Sequence, residues 1–253
     1  TIIDMFRDIS SKYKKHIAIR YKKNDRWINI NYQDYYKSCE ILATCLLYTI
    51  GPHPRVAILS FNRPEWFYTH MGTMIANGIP IGLYQTSSRD TCDYIINHSH
   101  VDLLVIEDMK QLEKIKDVKM STVKLILIIE SSDIDVEIKD KIKTNNPNIF
   151  IMNYNDFISQ TISPIIDISD PLITDTATII YTSGTSGDPK GVVISHNNII
   201  NSIKSGLHLL RTRSNIEIHT NERFISYLPL NHIAAQMMDI YIPLVTVGTV
   251  NFA

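Results

Sequence analysis

The sequence predicts an α/β fold in which mainly parallel β-sheets are flanked by helices. Three observations lead there. Short β-rich runs alternate along the chain with stretches of helical periodicity. Several of those runs, such as Arg55 to Ser60, Leu103 to Ile106 and Val123 to Ile129, read as near-continuous apolar segments, as strands covered on both sides do. A chain of 253 residues with 44% hydrophobic and 20% charged content can bury a sizeable core, in one large domain or two small ones.

The elements follow in order. His16 to Tyr21 and Arg26 to Ile30 read as two strands around the polar turn Lys22-Lys23-Asn24-Asp25. Asn31 caps a helix from Tyr32 to about Tyr48, whose apolar positions Tyr35, Cys39, Leu42, Ala43 and Leu46 share one face. Gly51-Pro52-His53-Pro54 breaks the chain before the strand Arg55 to Ser60. Pro64 sits in the first turn of the next helix, which presents Trp66, Phe67, Met71, Met74 and Ile75 and stops at Asn77-Gly78. Ile79 to Tyr84 is a strand, Ser88 to His98 a helix, and Leu103 to Ile106 and Val123 to Ile129 are strands. Ser131 to Asn148 is the most polar stretch and fits either a surface helix or a loop insertion. Ala177 to Ile180, Val192 to Ile194 and Thr249 to Phe252 complete the strands.

Bulk properties exclude several classes. A net charge of −1 leaves no footprint for nucleic acid, and Lys14-Lys15 and Lys22-Lys23 read as solvated faces. Cys39, Cys45 and Cys92 form no C-x-x-C pair, which argues against a disulfide framework or a zinc site and for a reducing compartment. No stretch approaches the roughly 18 apolar residues of a membrane span; Ile240 to Val247 is short and interrupted by Pro243. The N-terminus does not read as a signal peptide, and without a first Met the true start is expected upstream. His98 and His100 are two residues apart, so a helix cannot present both to one metal ion.

Chemistry concentrates in Tyr181-Thr182-Ser183-Gly184-Thr185-Ser186-Gly187-Asp188-Pro189-Lys190-Gly191. No glycine lies between Gly82 and Gly184, and then Gly184, Gly187 and Gly191 follow closely. Such glycines allow nest-like turns whose N–H groups bind anions. Thr182, Ser183, Thr185 and Ser186 add short hydroxyl donors, and Lys190 adds a mobile charge that can follow a departing phosphate. The spacing is neither a Walker A loop nor a G-x-G-x-x-G fingerprint. On composition alone a Gly/Ser-rich surface turn remains open.

The order of residues is more specific. The segment resembles the T-S-G-T-T-G-x-P-K-G signature of the adenylate-forming (AMP-binding) superfamily, differing only at Ser186, where threonine is usual and the hydroxyl is kept. Phe61-Asn62-Arg63-Pro64-Glu65-Trp66 is similar to that family's N-R-P-E-W segment. Ala76 to Tyr84 is similar to its next helix–strand pair, and Tyr227-Leu228-Pro229-Leu230-Asn231-His232 to its L-P-L-x-H motif. The four segments keep the family's order, so the resemblance covers essentially the whole chain. Tyr84-Gln85-Thr86-Ser87 and Leu230 to Gln236 look closest to long-chain and very-long-chain acyl-CoA synthetases of the bubblegum type.

The resemblance implies an acyl-CoA synthetase-like N-terminal domain. It also implies ATP-dependent activation of a long-chain fatty acid to an acyl-adenylate and then to an acyl-CoA. Thr182 to Lys190, including Gly187, Asp188 and Pro189, would grip the β- and γ-phosphates. His232 would lie beside the adenylate and the acyl pocket, although its position after Leu-Pro-Leu is also compatible with plain packing. ATP, Mg2+ and coenzyme A are the implied cofactors, and fatty acid, ATP and CoA the small-molecule partners. No metal ligand is assigned within the chain. The family's adenine-binding Y-G-x-[T/S]-E segment, ribose-binding aspartate and catalytic lysine are not found before Ala253. Residues 1–253 are therefore expected to form a partial N-terminal AMP-binding domain, inactive alone, without the rest of the large domain and the small C-terminal domain. A cytoplasmic location is expected, with peripheral contact to an intracellular membrane left open. Two alternatives stand beside this: a truncated, non-catalytic nucleotide-binding or interaction protein, and an adenylating enzyme for another carboxylic acid.

Overall fold

The computed structural model describes residues 1–130, 134–160, 170–182, 187–213 and 220–252. The chain opens with a helix the sequence reading did not anticipate, α1 (Ile2–Lys12), closed at its start by a capping box between Thr1 and Asp4. The hairpin β1 (Ile17–Lys23) and β2 (Arg26–Asn31) turns on Asn24 and Asp25 alone, at φ 50° and 59°. Two left-handed residues match the twist of the strands, so Lys22 and Lys23, expected in the turn, stay in the ladder opposite Trp27 and Arg26.

Helix α2 (Tyr32–Thr49) begins where the Asn31 side chain accepts from the Asp34 amide at 2.8 Å. It buries Tyr35, Cys39, Leu42, Ala43 and Leu46 as the spacing predicts. Strand β3 (Arg55–Leu59) leads to α3 (Pro64–Ile75) and β4 (Ile79–Gly82). Strand β4 stops two residues before the expected Tyr84, because the chain leaves the sheet after Gly82. There follow α4 (Arg89–His98), capped by Ser88, then β5 (Leu103–Asp108), α5 (Met109–Ile115) and β6 (Leu125–Glu130). The polar stretch resolves, from residue 134 on, as the surface helix α6 (Val136–Asn145), with Asp135 accepting from the Glu137 and Ile138 amides. Strand β7 (Phe150–Asn153) and α7 (Tyr154–Ile158) come next. After them come β8 (Thr176–Thr182), β9 (Lys190–Ser195), α8 (His196–Arg213) and β10 (Arg223–Ser226). A short α9 (Ile233–Ala235) runs into a π-helical stretch, Gln236–Tyr241, then α10 (Ile242–Thr246) and β11 (Thr249–Phe252).

The strands form two sheets. The larger has the order β7-β6-β5-β3-β4-β8-β9, with every neighbour parallel except the β8–β9 pair. The smaller has the order β10-β11-β1-β2, in which β11 runs parallel to both β10 and β1. The mainly parallel α/β expectation therefore holds.

The apolar runs have the expected cause. Val56 and Ile58 of β3 face one hydrophobic core, while Ala57 and Leu59 face a second. Leu103 and Val105 alternate with Leu104 and Ile106 in the same way. The first core also takes in α1, α2, α3 and the small sheet, so it joins the two sheets. Cys39, Cys45 and Cys92 are free thiols buried within these cores. Among the described residues, no helix is long and apolar enough to cross a membrane.

Tyr32 ties the start of α2 to α10 and the turn that follows it. Its buried hydroxyl donates a bifurcated hydrogen bond to the carbonyls of Gly248 (2.8 Å) and Pro243 (3.0 Å). Tyr32→Phe leaves both carbonyls buried without that donor, so denaturant unfolding should show a loss of about 1–3 kcal/mol with an unchanged slope.

Candidate functional site

The signature segment occupies the turn of a β-hairpin. Strand β8 lies beside β4 in the large sheet, where the buried Thr178 hydroxyl donates to the Pro80 carbonyl at 2.8 Å. Strand β9 returns antiparallel, pairing Thr182 with Lys190 and Tyr181 with Gly191. The register puts Thr182 and Lys190 on the same face at the mouth of the hairpin, both exposed. Gly187 takes φ +101°, a left-handed conformation that a side chain would strain. Ser183, Gly184, Thr185 and Ser186 lie outside the described residues.

The base of the hairpin is anchored from behind. The Tyr181 hydroxyl lies 2.7 Å from His98 Nδ1, and Tyr94 stacks on that imidazole with ring centroids 5.1 Å apart. A Cβ on Gly191 would come within 3.2 Å of the Tyr181 ring, so this glycine makes room for the anchor. His98 thus supports the loop from α4, a role that nothing in its sequence context signals.

Beside the hairpin lies a cleft of about 420 Å³. Thr182 and Pro189 line it from one side, His232 from another, and Tyr84, Thr86 and Ser87 from the loop after β4. The structure therefore brings Thr182, Pro189 and His232 together, with Lys190 directly opposite Thr182 in the ladder. Gly187 and Asp188 stand exposed at the hairpin tip and do not line the cleft. The hydroxyls of Tyr84, Thr86 and Ser87 were not among the site residues expected from the sequence. They follow the point where β4 ends, and that end is what turns them into the cleft.

His232 is exposed and caps α9, its Nδ1 accepting from the Ala234 amide at 3.2 Å. A neutral ring held this way carries its proton on Nε2, leaving that nitrogen as a donor. Its backbone is set from below. An added Cβ on Gly82 would lie 2.6 Å from Asn231 Cβ, so β4 and Asn231 touch only because residue 82 has no side chain. Asn231 is itself buried, and its Nδ2 has no partner among the described residues.

Two buried networks fix the segment that carries His232. Gln236 Nε2 donates to the Leu230 carbonyl at 2.9 Å, and Tyr241 links Gln236 to His70, whose Nε2 is 2.7 Å from the Tyr241 hydroxyl. Burial pushes the His70 pKa down to about 3, so the ring is neutral. In the second network Asn62 donates to Ser226 Oγ and to the Leu228 carbonyl, both at 2.8 Å, and Ser226 donates to Asp239 at 2.7 Å. Next to Asn62, Arg63 bonds Glu65 (2.8 Å) and Glu130 (2.6 Å) and lies 3.5 Å from Glu107. Among the described residues, no group of three or more His, Cys, Asp or Glu side chains could hold a metal ion.

The profile of the AMP-binding enzyme family matches residues 6–253. The chain belongs to the AMP-binding enzyme family. Its sequence is 34% identical over 259 residues to the long-chain-fatty-acid–CoA ligase ACSBG2 of Xenopus laevis, covering 100% of this chain and 34% of that protein. It is 33% identical over 249 residues to the human long-chain-fatty-acid–CoA ligase ACSBG1, covering 95% of this chain and 33% of that one. The chain thus spans about a third of the length of the curated relatives it matches. The bubblegum-type resemblance expected from the motifs is therefore confirmed.

Solved structures share the fold at low identity. The anthranilate CoA ligase AuaEII in complex with anthranoyl-AMP superposes with a TM-score of 0.77 at 14% identity, covering 99% of this chain and 44% of that one. The o-succinylbenzoate CoA synthetase of Bacillus subtilis with its acyl-adenylate gives 0.71 at 19% identity, covering 99% and 55%.

Two outcomes test this geometry. Gly82→Ala must push Asn231 aside, at a cost of about 1–3 kcal/mol in unfolding free energy. Burial pushes the Asp239 pKa up to about 6, with the Ser226 hydroxyl pulling against it. The folded state then binds the proton more tightly than the unfolded state, so stability present near pH 4 is lost as pH rises to about 6. The loss should reach about 2–3 kcal/mol. Asp239→Asn, which can still accept from Ser226, should flatten that slope in unfolding titrations across the same window.

Proposed function

We propose that this chain carries the phosphate-gripping part of an ATP-dependent ligase that activates a long-chain fatty acid through an acyl-adenylate and passes it to coenzyme A. The observation that carries the reading is the meeting of Thr182, Pro189 and His232 in one cleft, with Lys190 paired across from Thr182. The long-chain-fatty-acid–CoA ligases among the relatives support the substrate class.

In this reading the substrate carboxylate attacks the α-phosphorus of ATP and pyrophosphate leaves. The hairpin holds the β- and γ-phosphates. Thr182 and the hydroxyls of residues 183, 185 and 186 supply donors, and Lys190 balances the charge that builds on the leaving group. Tyr84, Thr86 and Ser87 line the opposite wall with further hydroxyls. The Nε2–H of His232 donates to an oxygen of the adenylate as it forms. Mg2+ accompanies the ATP phosphates, and the hydroxyl-rich lining suits phosphate oxygens rather than a protein-built metal cage. The thiol of coenzyme A then attacks the acyl carbonyl, a thioester forms and AMP leaves. The reading carries with it a cytoplasmic setting.

The test is acyl-dependent ATP–pyrophosphate exchange, run on this chain and on a polypeptide extended to the length of the relatives. With palmitate the longer protein should exchange, and Lys190→Ala should lower the rate about 10²–10³-fold. Exchange with anthranilate but not palmitate would replace the substrate class. No exchange with fatty, aromatic or amino acids would sink the ligase reading and leave a nucleotide-binding role.

A further inference from the structure

Strand β4 ends at Gly82, and α4 does not begin until its cap at Ser88. The chain between them carries the Tyr84, Thr86 and Ser87 wall of the cleft with no strand of its own. Its main chain is fixed at two points. The Leu83 amide donates to the Ile58 carbonyl of β3 at 2.8 Å, and the Ser87 amide closes a turn on the Tyr84 carbonyl at 2.9 Å. Gln85 and Thr86 are the central residues of that turn. Neither is a residue that turn chemistry demands, so something else must set where the turn stands.

Gln85 supplies it. Its side chain does not line the cleft but leaves in another direction. Its Nε2 donates to the Glu107 carboxylate near the end of β5, and its carbonyl accepts from the Lys114 ammonium in the last turn of α5. One turn residue is thereby tethered to two elements, through side chain and main chain, by two charge-assisted bonds. Glu107 is itself held. It accepts from the Phe61 amide at 3.0 Å, lies 3.5 Å from the Arg63 guanidinium, and has a side chain only 14% exposed. The tether therefore ends on a fixed carboxylate rather than on a solvated one, and the residues on either side of Gln85 are the ones that face the cleft.

We propose that Gln85 is a positioning residue for this cleft: held by Glu107 and Lys114, it sets where the hydroxyls of Tyr84, Thr86 and Ser87 stand against the reacting molecule. It touches no reacting atom and acts through its neighbours. Its consequence for turnover rests on the ligase reading, whereas its consequence for the turn rests on the geometry alone.

Gln85→Glu sets a carboxylate against Glu107 and should release the turn. Adding Glu107→Gln restores one donor and one acceptor with their roles exchanged. On the 253-residue chain, amide hydrogen exchange reads the turn directly. The Ser87 amide should exchange about tenfold faster in the single variant and return to the parent rate in the double variant. The Leu83 amide should keep the parent rate throughout, whereas a general loss of structure would move both. On the polypeptide extended to the length of the relatives, palmitate-dependent ATP–pyrophosphate exchange at saturating substrate should fall about 10–10²-fold in the single variant and recover in the double variant. Lys110→Ala, on the exposed start of α5, should change neither readout. An unchanged Ser87 rate in Gln85→Glu, no recovery in the double variant, or full turnover with a released turn overturns the proposal. If the extended parent protein shows no exchange with any acid, the ligase reading fails, and the Ser87 rates still decide whether Gln85 holds the wall.

Discussion

The two-sided burial of β3, β5 and β6 is the constraint on which the rest of the molecule depends. Val56 and Ala57 are neighbours in sequence, yet each is fully buried, and in different cores. A sheet of this kind cannot stand until helices cover both faces, so each parallel strand must be followed by a crossover segment. Polar groups are thereby excluded from the faces and collect where chains leave the sheet. The candidate cleft lies outside the carboxyl ends of β4 and β8, which is where an open parallel sheet offers room for a ligand.

The smaller sheet takes part in this arrangement through polar contacts as well as packing. Asn62, in the loop after β3, reaches Ser226 at the end of β10 and the Leu228 carbonyl beyond it. Arg63 joins the start of α3 to Glu107 and Glu130 at the ends of β5 and β6. The N-R-P-E-W segment thus acts as a brace between the two sheets, and it does not line the cleft. The π-helical stretch Gln236–Tyr241 serves a similar end: its first and last residues meet in the network that holds the Leu230 carbonyl. A buried neutral His70, stacked on Trp66 at 5.0 Å, closes that network from α3.

How much of this the sequence discloses depends on the range of the forces involved. Strands buried on both faces and helices with one apolar stripe carry local periodicity, so β3, β5, β6, α2 and α3 are plain in the residues. Strand β4 is overextended by two residues because its end is set by Gly82 meeting Asn231, a contact between segments far apart in the chain. The polar α6 is ambiguous in sequence because little of it is buried. Thr182, Pro189 and His232 are singled out by motif order, and their convergence in one cleft is a tertiary fact. Tyr84, Thr86 and Ser87 join the cleft, and His98 supports the hairpin, through side-chain placements with no periodic signature.

The β8–β9 hairpin separates what can vary in the signature from what cannot. The ladder pairs Thr182 with Lys190 at its last rung. The ladder below has a repeat of two. A slip of one residue would turn Lys190 to the opposite face of the hairpin from Thr182. Strand phase is therefore a hard variable in this protein, and the parity of β9 has to be preserved for Lys190 to stay opposite Thr182.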